Sequence, residues 1–341
     1  MAAPVIRQPQ FSTGRPGKAT DMDSTEFAAL ANQLVDRVET VIVGKREAVE
    51  LTVAAFLAGG HLLIEDIPGV GKTMLARSLA LSVDLVFKRI QFTPDLLPAD
   101  ITGVSVFSQA AGTFEFRAGP LFANVVLADE INRATPKCQA ALLEGMEEFQ
   151  VTADGVTHDL PRPFFVIATE NPIEYEGTYS LPEAQLDRFL MRVSLGYPAP
   201  SEEVQILDRQ MVSHPIERVE AALTREDVLN LQHGVRLVHV DHSLKAYMVE
   251  LANATRGHEA VELGASPRGS IALMRCSQAV AALAGRAHVV PDDIKRVAVP
   301  ALAHRLILKP QRRLQGVTAA QVVGDLLARV PVPVAEGIPA P

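Results

Sequence analysis

A short apolar run, His61-Leu-Leu-Ile-Glu65, leads into Glu65-Asp-Ile-Pro-Gly-Val-Gly-Lys-Thr73 and then into Met74-Leu-Ala-Arg-Ser-Leu-Ala. Strand, glycine-rich turn and helix in that order confine the chain to a strand–loop–helix unit whose loop cradles phosphate. Gly69 and Gly71 let backbone N–H groups crowd around phosphate oxygens, and the helix N-terminus adds its partial positive charge. Lys72 is placed to reach the β- and γ-phosphates of a nucleotide, and the Thr73 hydroxyl to hold Mg²⁺. Pro68, Val70 and Met74 complete the expected nucleotide contacts. The general pattern GxxxxGK[ST] asks for glycine where this chain has Asp66.

A second motif supports the first. Val125-Val-Leu-Ala-Asp129-Glu130 is an apolar strand ending in two acids. Asp129 can hold Mg²⁺ through water, and Glu130 sits where a general base polarises the attacking water. The pair of motifs points to ATP as substrate. Further strands are expected at 88–92, 164–168 and 192–195. Continuous apolar strands joined by helices indicate a parallel sheet covered on both faces. Ala168-Thr-Glu-Asn171 ends one of them, and Asn171 can either orient water opposite Glu130 or simply form the turn before Pro172.

A helix is expected from Thr135 and Pro136 to Phe149, with Cys138, Leu142, Gly145 and Met146 on one face. Asp154-Gly155 signals a hairpin turn, and a second hairpin is expected around Ala111-Gly112. After Pro198-Ala-Pro200 the strand signals stop. Helical patterns follow at about 202–213, 225–237, 243–256, 268–285, 292–303 and 318–329, with starts at Thr224, Ser266 and Pro291. The expected organisation is a flexible tail at 1–22, a core at 23–199, an all-helical domain at 200–330 and a Pro-rich flexible tail at 331–341.

Composition narrows the function. The 341 residues carry 32 basic and 40 acidic side chains, a net charge of −8, which argues against a broad nucleic-acid footprint. The charge is uneven: residues 1–199 hold −9 and residues 200–341 hold +1. One basic run, Lys295, Arg296, His304, Arg305, Lys309, Arg312 and Arg313, contains no acid. It can be a solvated face, a surface meeting an acidic neighbour or a nucleic-acid contact. The two cysteines build no disulfide framework. No apolar run suffices for a membrane helix, and no secretory signal stands at the N-terminus, so a cytoplasmic protein is expected. His239 and His242 have a spacing that permits one helix face, but no third metal ligand is evident.

Longer segments carry a resemblance. They are Glu65–Thr73, Arg89–Gly103, Leu127-Ala-Asp-Glu-Ile-Asn-Arg133, Glu170–Tyr179, Leu181-Pro-Glu-Ala-Gln-Leu-Asp-Arg-Phe189 and Gly264-Ala-Ser-Pro-Arg268. Together they resemble the MoxR family of AAA+ ATPases over about residues 25–330. The resemblance implies an α/β P-loop NTPase core with a five-stranded parallel sheet and a helical lid. It implies that Asn171 is sensor 1, that Arg188 is an arginine finger reaching a neighbouring subunit's γ-phosphate, and that Arg268 is sensor 2. Ile42-Val43-Gly44 resembles the adenine-pocket segment, so Val43 and Gly44 join the expected contacts. Residues 93–117 resemble the helix-2 insert and about 150–161 the hairpin before sensor 1. In such rings these elements face the pore or a client, although Phe114 and Phe116 could equally pack in the core. Two departures are Glu170, where the family more often has Gln, and Gly145, where Ala is usual.

The resemblance further implies a homo-oligomeric ring, commonly a hexamer, with a chaperone-like role on client complexes and a partner containing a von Willebrand factor A domain. A nucleic-acid motor and a nucleotide-gated scaffold with little turnover remain as alternatives.

Overall fold

The computed structural model describes residues 23–171, 179, 181–211 and 214–333. The expected tails at 1–22 and from 334 onward lie outside them, as do 172–178, 180 and 212–213.

The described chain opens with α1 (Ser24–Glu39) and α2 (Arg46–Leu57). It continues through β1 (Leu62–Glu65), α3 (Lys72–Leu81), β2 (Phe87–Gln91), α4 (Pro98–Thr102), β3 (Gly103–Ser108) and β4 (Thr113–Ala118). Next come β5 (Val125–Asp129), α5 (Pro136–Glu148), β6 (Gln150–Ala153), β7 (Val156–Asp159), β8 (Phe165–Glu170), α6 (Glu183–Leu186) and β9 (Met191–Val193). The last part holds α7 (Pro200–Gln210), α8 (Arg225–Leu237), α9 (His242–Gly257), β10 (Val261–Leu263), α10 (Pro267–Leu283) and α11 (Pro291–Leu302). It closes with β11 (Ile307–Leu308), α12 (Pro310–Leu314) and α13 (Ala319–Arg329).

Five strands form one parallel sheet in the order β2-β5-β8-β1-β9. β5 is buried throughout, and β1 and β8 are buried up to their last residues, as strands covered on both faces must be. One face packs against α1, α2 and α3, and that apolar cluster continues without a break into α8 to α11 and α13. The other face packs against α5, α4 and the hairpins. In parallel sheets of this kind ligands bind beyond the carboxyl ends of the strands, which here carry Glu65, Asp129 and Glu170.

Local chemistry explains the elements around that edge. Pro136 opens α5, and Thr135 stands at its N-cap in extended backbone with no side-chain cap bond. A Cβ on Gly145 would come within 3.0 Å of Leu121 and 3.2 Å of Leu160, so packing explains the absence of the usual Ala. His61 ties α5 to the sheet: its Nε2–H donates to the Met146 carbonyl at 2.9 Å, and Nδ1 accepts from the Val166 N–H at 3.0 Å. Burial pushes that imidazole down to about 4.

The two expected hairpins are β3–β4 and β6–β7, and they dock on each other. The Ser105 N–H donates to the Asp154 carboxylate at 3.0 Å, and Phe116 stacks on His158. Phe116 is therefore buried, whereas Phe114 is exposed and packs edge-to-face on Phe107.

The C-terminal part is helical at the expected places, with the Thr224–Asp227 capping box closed and Ser266 capping α10. It also holds a two-stranded antiparallel ladder of β10 and β11, which the sequence reading missed.

Candidate functional site

The phosphate loop turns on two positive φ angles, 84° at Gly69 and 97° at Gly71. Gly71 is the N-cap of α3, so the first N–H groups of that helix point back over the loop. Lys72 Nζ donates to the Asp66 carbonyl at 2.7 Å. Pro68, Gly69, Gly71, Lys72, Thr73 and Met74 line a cavity of about 350 Å³. Asp129, Glu130 and Asn171 line the same cavity from the neighbouring strands.

Glu130 follows β5 in the left-handed region, with φ 57°. A non-glycine residue pays conformational energy there, and such strain clusters at functional sites. Its N–H donates to Thr169 Oγ1 at 2.9 Å, and that hydroxyl donates to Asp129 Oδ1 at 2.6 Å. Arg89 holds the other Asp129 oxygen at 2.6 Å, and Gln91 donates to Glu130 at 2.8 Å. Arg133 pairs with Glu130 at 3.1 Å. Arg89, Gln91 and Thr169 were not singled out from the sequence. The available signal was their alternation: Arg89 and Gln91 share one face of β2, and Gln91 is the register partner of Asp129.

A second cavity, about 210 Å³, adjoins the first through Gly69, Gly71 and Met74. Val43 and Val70 line it, together with Gly196 and Pro198. Gly44 does not. It borders a separate cavity of about 500 Å³ between α2, the end of β9 and α11. The Glu202 side chain lies over it, so close that any Cβ on Gly44 would overlap the carboxylate.

Arg188 and Arg268 line neither nucleotide-sized cavity. Both reach across to Glu147 on α5: Arg188, just after α6, pairs with it at 3.2 Å, and Arg268, at the start of α10, pairs with the other oxygen of that carboxylate. Arg188 also donates to the Leu143 carbonyl at 2.7 Å.

Residues 61–191 match the profile of the ATPase family associated with various cellular activities (AAA), and residues 253–326 match the AAA lid domain. The chain is 39% identical to Chaperone MoxR1 of Mycobacterium tuberculosis, over 96% of this chain and 87% of that one. This chain belongs to the MoxR family of AAA+ ATPases. It is also 53% identical to the Bacillus subtilis protein YeaC, over 89% and 95% of the two chains. A crystal structure of a Cytophaga hutchinsonii protein superposes with a TM-score of 0.85 at 39% identity, covering 91% of this chain and 97% of that one.

The donor set in this MoxR-family site fits Mg²⁺. Thr73 offers a hydroxyl and Asp129 a carboxylate, both hard oxygen ligands on the phosphate cavity. Magnesium is commonly held by one or two such groups, with substrate phosphates and waters completing its shell. Among the described residues no group of three His, Cys, Asp or Glu side chains is arranged for a metal, His239 and His242 included.

A further carboxylate beside the site is perturbed. Glu170 ends β8 opposite Glu65 at the end of β1. Burial, with the Glu65 charge second, pushes its carboxyl up to about 7, while Arg192 opposes the shift. Arg192 itself pairs with Glu65 at 2.5 Å.

No described helix is long and apolar enough to cross a membrane. Four of the seven residues in the lid's basic run pair with acids of the same chain. Lys295 meets Asp292, Arg296 meets Glu50, Arg305 meets Asp187 and Arg312 meets Glu259.

Proposed function

We propose that this chain hydrolyses ATP in a homo-oligomeric ring, commonly a hexamer in its family, and uses the cycle to remodel or mature client protein complexes. The observation that carries the reading is the shared cavity: a phosphate loop with Lys72 and Thr73 faces Asp129, Glu130 and Asn171 across about 350 Å³.

In this reading the adjoining cavity beside Val43 and Val70 takes the adenine. Lys72 exchanges the Asp66 carbonyl for the β- and γ-phosphates. Thr73 and Asp129 would hold Mg²⁺, which when bound screens the phosphate charge. Glu130 accepts a proton from the attacking water, and Asn171 orients that water. Gln91 and Arg133 hold the Glu130 carboxylate until substrate arrives.

Arg188 and Arg268 act on the γ-phosphate of the neighbouring subunit. Their heads rest on Glu147 of α5, outside both cavities of their own subunit, which supports a role in trans. A cation delivered across an interface stabilises the transferring phosphoryl and couples subunits.

The family resemblance carries the partner proposal: a von Willebrand factor A domain protein and client complexes, with the β3–β4 and β6–β7 hairpins at the pore or client. Exposed Phe107 and Phe114 on the first hairpin fit such a contact. The ion pairs that take up four of the seven residues in the lid's basic run speak against a nucleic-acid motor. A turnover assay with Mg²⁺-ATP tests the enzymatic reading, and absence of phosphate release by the assembled protein sinks it. Capture of clients by the Glu130→Gln protein in the presence of ATP, compared with captures lacking ATP, tests the remodelling role. Identical captures with and without ATP count against it.

A further inference from the structure

Asp66 stands where the general phosphate-loop pattern has glycine, and it is only 6% exposed. Its two carboxylate oxygens do different things. Oδ1 accepts the Ile67 N–H at 2.9 Å, inside the phosphate loop. Oδ2 accepts the Leu195 N–H at 2.6 Å, the Gly196 N–H at 2.7 Å and the Ser194 hydroxyl at 3.1 Å. Those three donors belong to the segment that leaves β9 for α7. Gly196 adopts a positive φ of 61° there.

The base-sized cavity lies between these two anchored segments. Gly69, Val70 and Gly71 form its loop side, while Gly196 and Pro198 form the opposite wall. Asp66 is the polar bridge between loop and wall.

We propose that Asp66 is a positioning residue for base recognition: it sets the spacing between phosphate loop and Gly196–Pro198 wall, so that a nucleotide docked by its phosphates has its base gripped. The proposal rests on the ATP reading above and extends it to the determinant of base affinity.

Asparagine is a discriminating replacement. An amide has one acceptor oxygen and one donor nitrogen. If its oxygen faces Leu195, Gly196 and Ser194, its NH₂ meets the Ile67 N–H. If it is turned, its NH₂ meets the three wall donors. Either orientation breaks the bridge at one end, with nearly unchanged volume. Ser194→Ala is milder, removing one hydroxyl bond and leaving both backbone bonds.

The test is calorimetric titration of the full chain with ATP and, separately, with inorganic tripolyphosphate, both with Mg²⁺. Asp66→Asn is expected to weaken ATP about tenfold, because charge-assisted bonds that hold the wall are lost. Tripolyphosphate, which has no base, is expected to stay within about twofold. Ser194→Ala is expected to weaken ATP about threefold with tripolyphosphate unaffected. If both ligands weaken alike, or ATP does not weaken, Asp66 merely supports the loop and the proposal is overturned. Should Asp66→Asn fail to fold, the split in Ser194→Ala decides alone. A wild-type protein that binds neither ligand overturns the nucleotide reading itself. One that binds both equally overturns base recognition at this cavity.

Discussion

Arg305 and Asp187 form an ion pair at 2.8 Å that joins the lid, just after α11, to the core segment carrying Arg188. The Arg305 side chain is 3% exposed and also donates to the Phe189 carbonyl at 2.7 Å. The second Asp187 oxygen accepts the Ser266 hydroxyl at 2.8 Å, and Ser266 caps the helix on which Arg268 stands. One carboxylate thus anchors the backbone next to both arginines, while Glu147 holds both of their heads.

Breaking that anchor is expected to loosen the lid. Asp187→Asn leaves a buried guanidinium short of its counter-charge, a loss that costs about 3 kcal/mol when one partner of a buried pair is removed. Carbonyl acceptors from Phe189 and Leu190 remain, which places the expectation at the low end of such losses. Urea denaturation reads it. A shift below about 1 kcal/mol would show that the pair is solvated and sets nothing.

Glu147 poses the opposite case, because its pairs are half-exposed. Such pairs contribute about 0–1 kcal/mol to stability, so Glu147→Gln should leave the melting temperature nearly unchanged. Freed arginines should reach a neighbouring subunit more readily. Steady-state turnover at limiting protein concentration is expected to rise up to about fivefold, the equivalent of ~1 kcal/mol. A fall in turnover instead would assign Glu147 a supporting role.

Glu130→Gln should retain ATP binding and lose turnover by about 10²–10⁴, the range for removing a general base. Normal hydrolysis by that protein would dismiss the assignment. Arg188→Ala and Lys72→Ala should each be inactive alone, yet an equal mixture should regain activity. Mixed rings contain interfaces with an intact phosphate loop on one side and an intact arginine on the other. An inert mixture of co-assembled subunits would remove Arg188 from a role in trans.

The Glu170 carboxyl, raised to about 7 from 4.5, gives a pH signature with a defined sign. Between those values the folded state holds a proton that the unfolded state has lost. Stability contributed by this group is therefore full at low pH and declines as pH rises from about 4.5 to about 7. Glu170→Gln should remove that decline, so its stability advantage over the wild type should grow with pH and level off above 7. Denaturant titrations at several pH values measure the difference, and a pH-independent difference would refute the shift. The family's more frequent Gln at this position agrees with the expected direction.

Much of the fold was legible because its signals are local. Leu62-Leu63-Ile64 and Val125 to Ala128 are continuous apolar strands, and Asp154-Gly155 takes the positive φ angles a tight hairpin needs. The ladder of β10 and β11 was not legible. Its strands are three and two residues long, and Val261 pairs with the distant Leu308. No periodicity can emerge from so few residues. The separation of Gly44 from Val43 was not legible for a related reason: adjacency in sequence says nothing about which of two neighbouring cavities a residue borders.

The phosphate loop and the acids after β5 were set by the sequence alone, since a few consecutive residues dictate both their backbone and their chemistry. Which charges meet was decided only by the tertiary structure. Arg89 on Asp129, Arg305 on Asp187, the two arginines on Glu147 and Asp66 on the Gly196 wall all link residues at least 40 positions apart. Side-chain partners at such separations depend on strand order and helix packing, and no local pattern of residues encodes those.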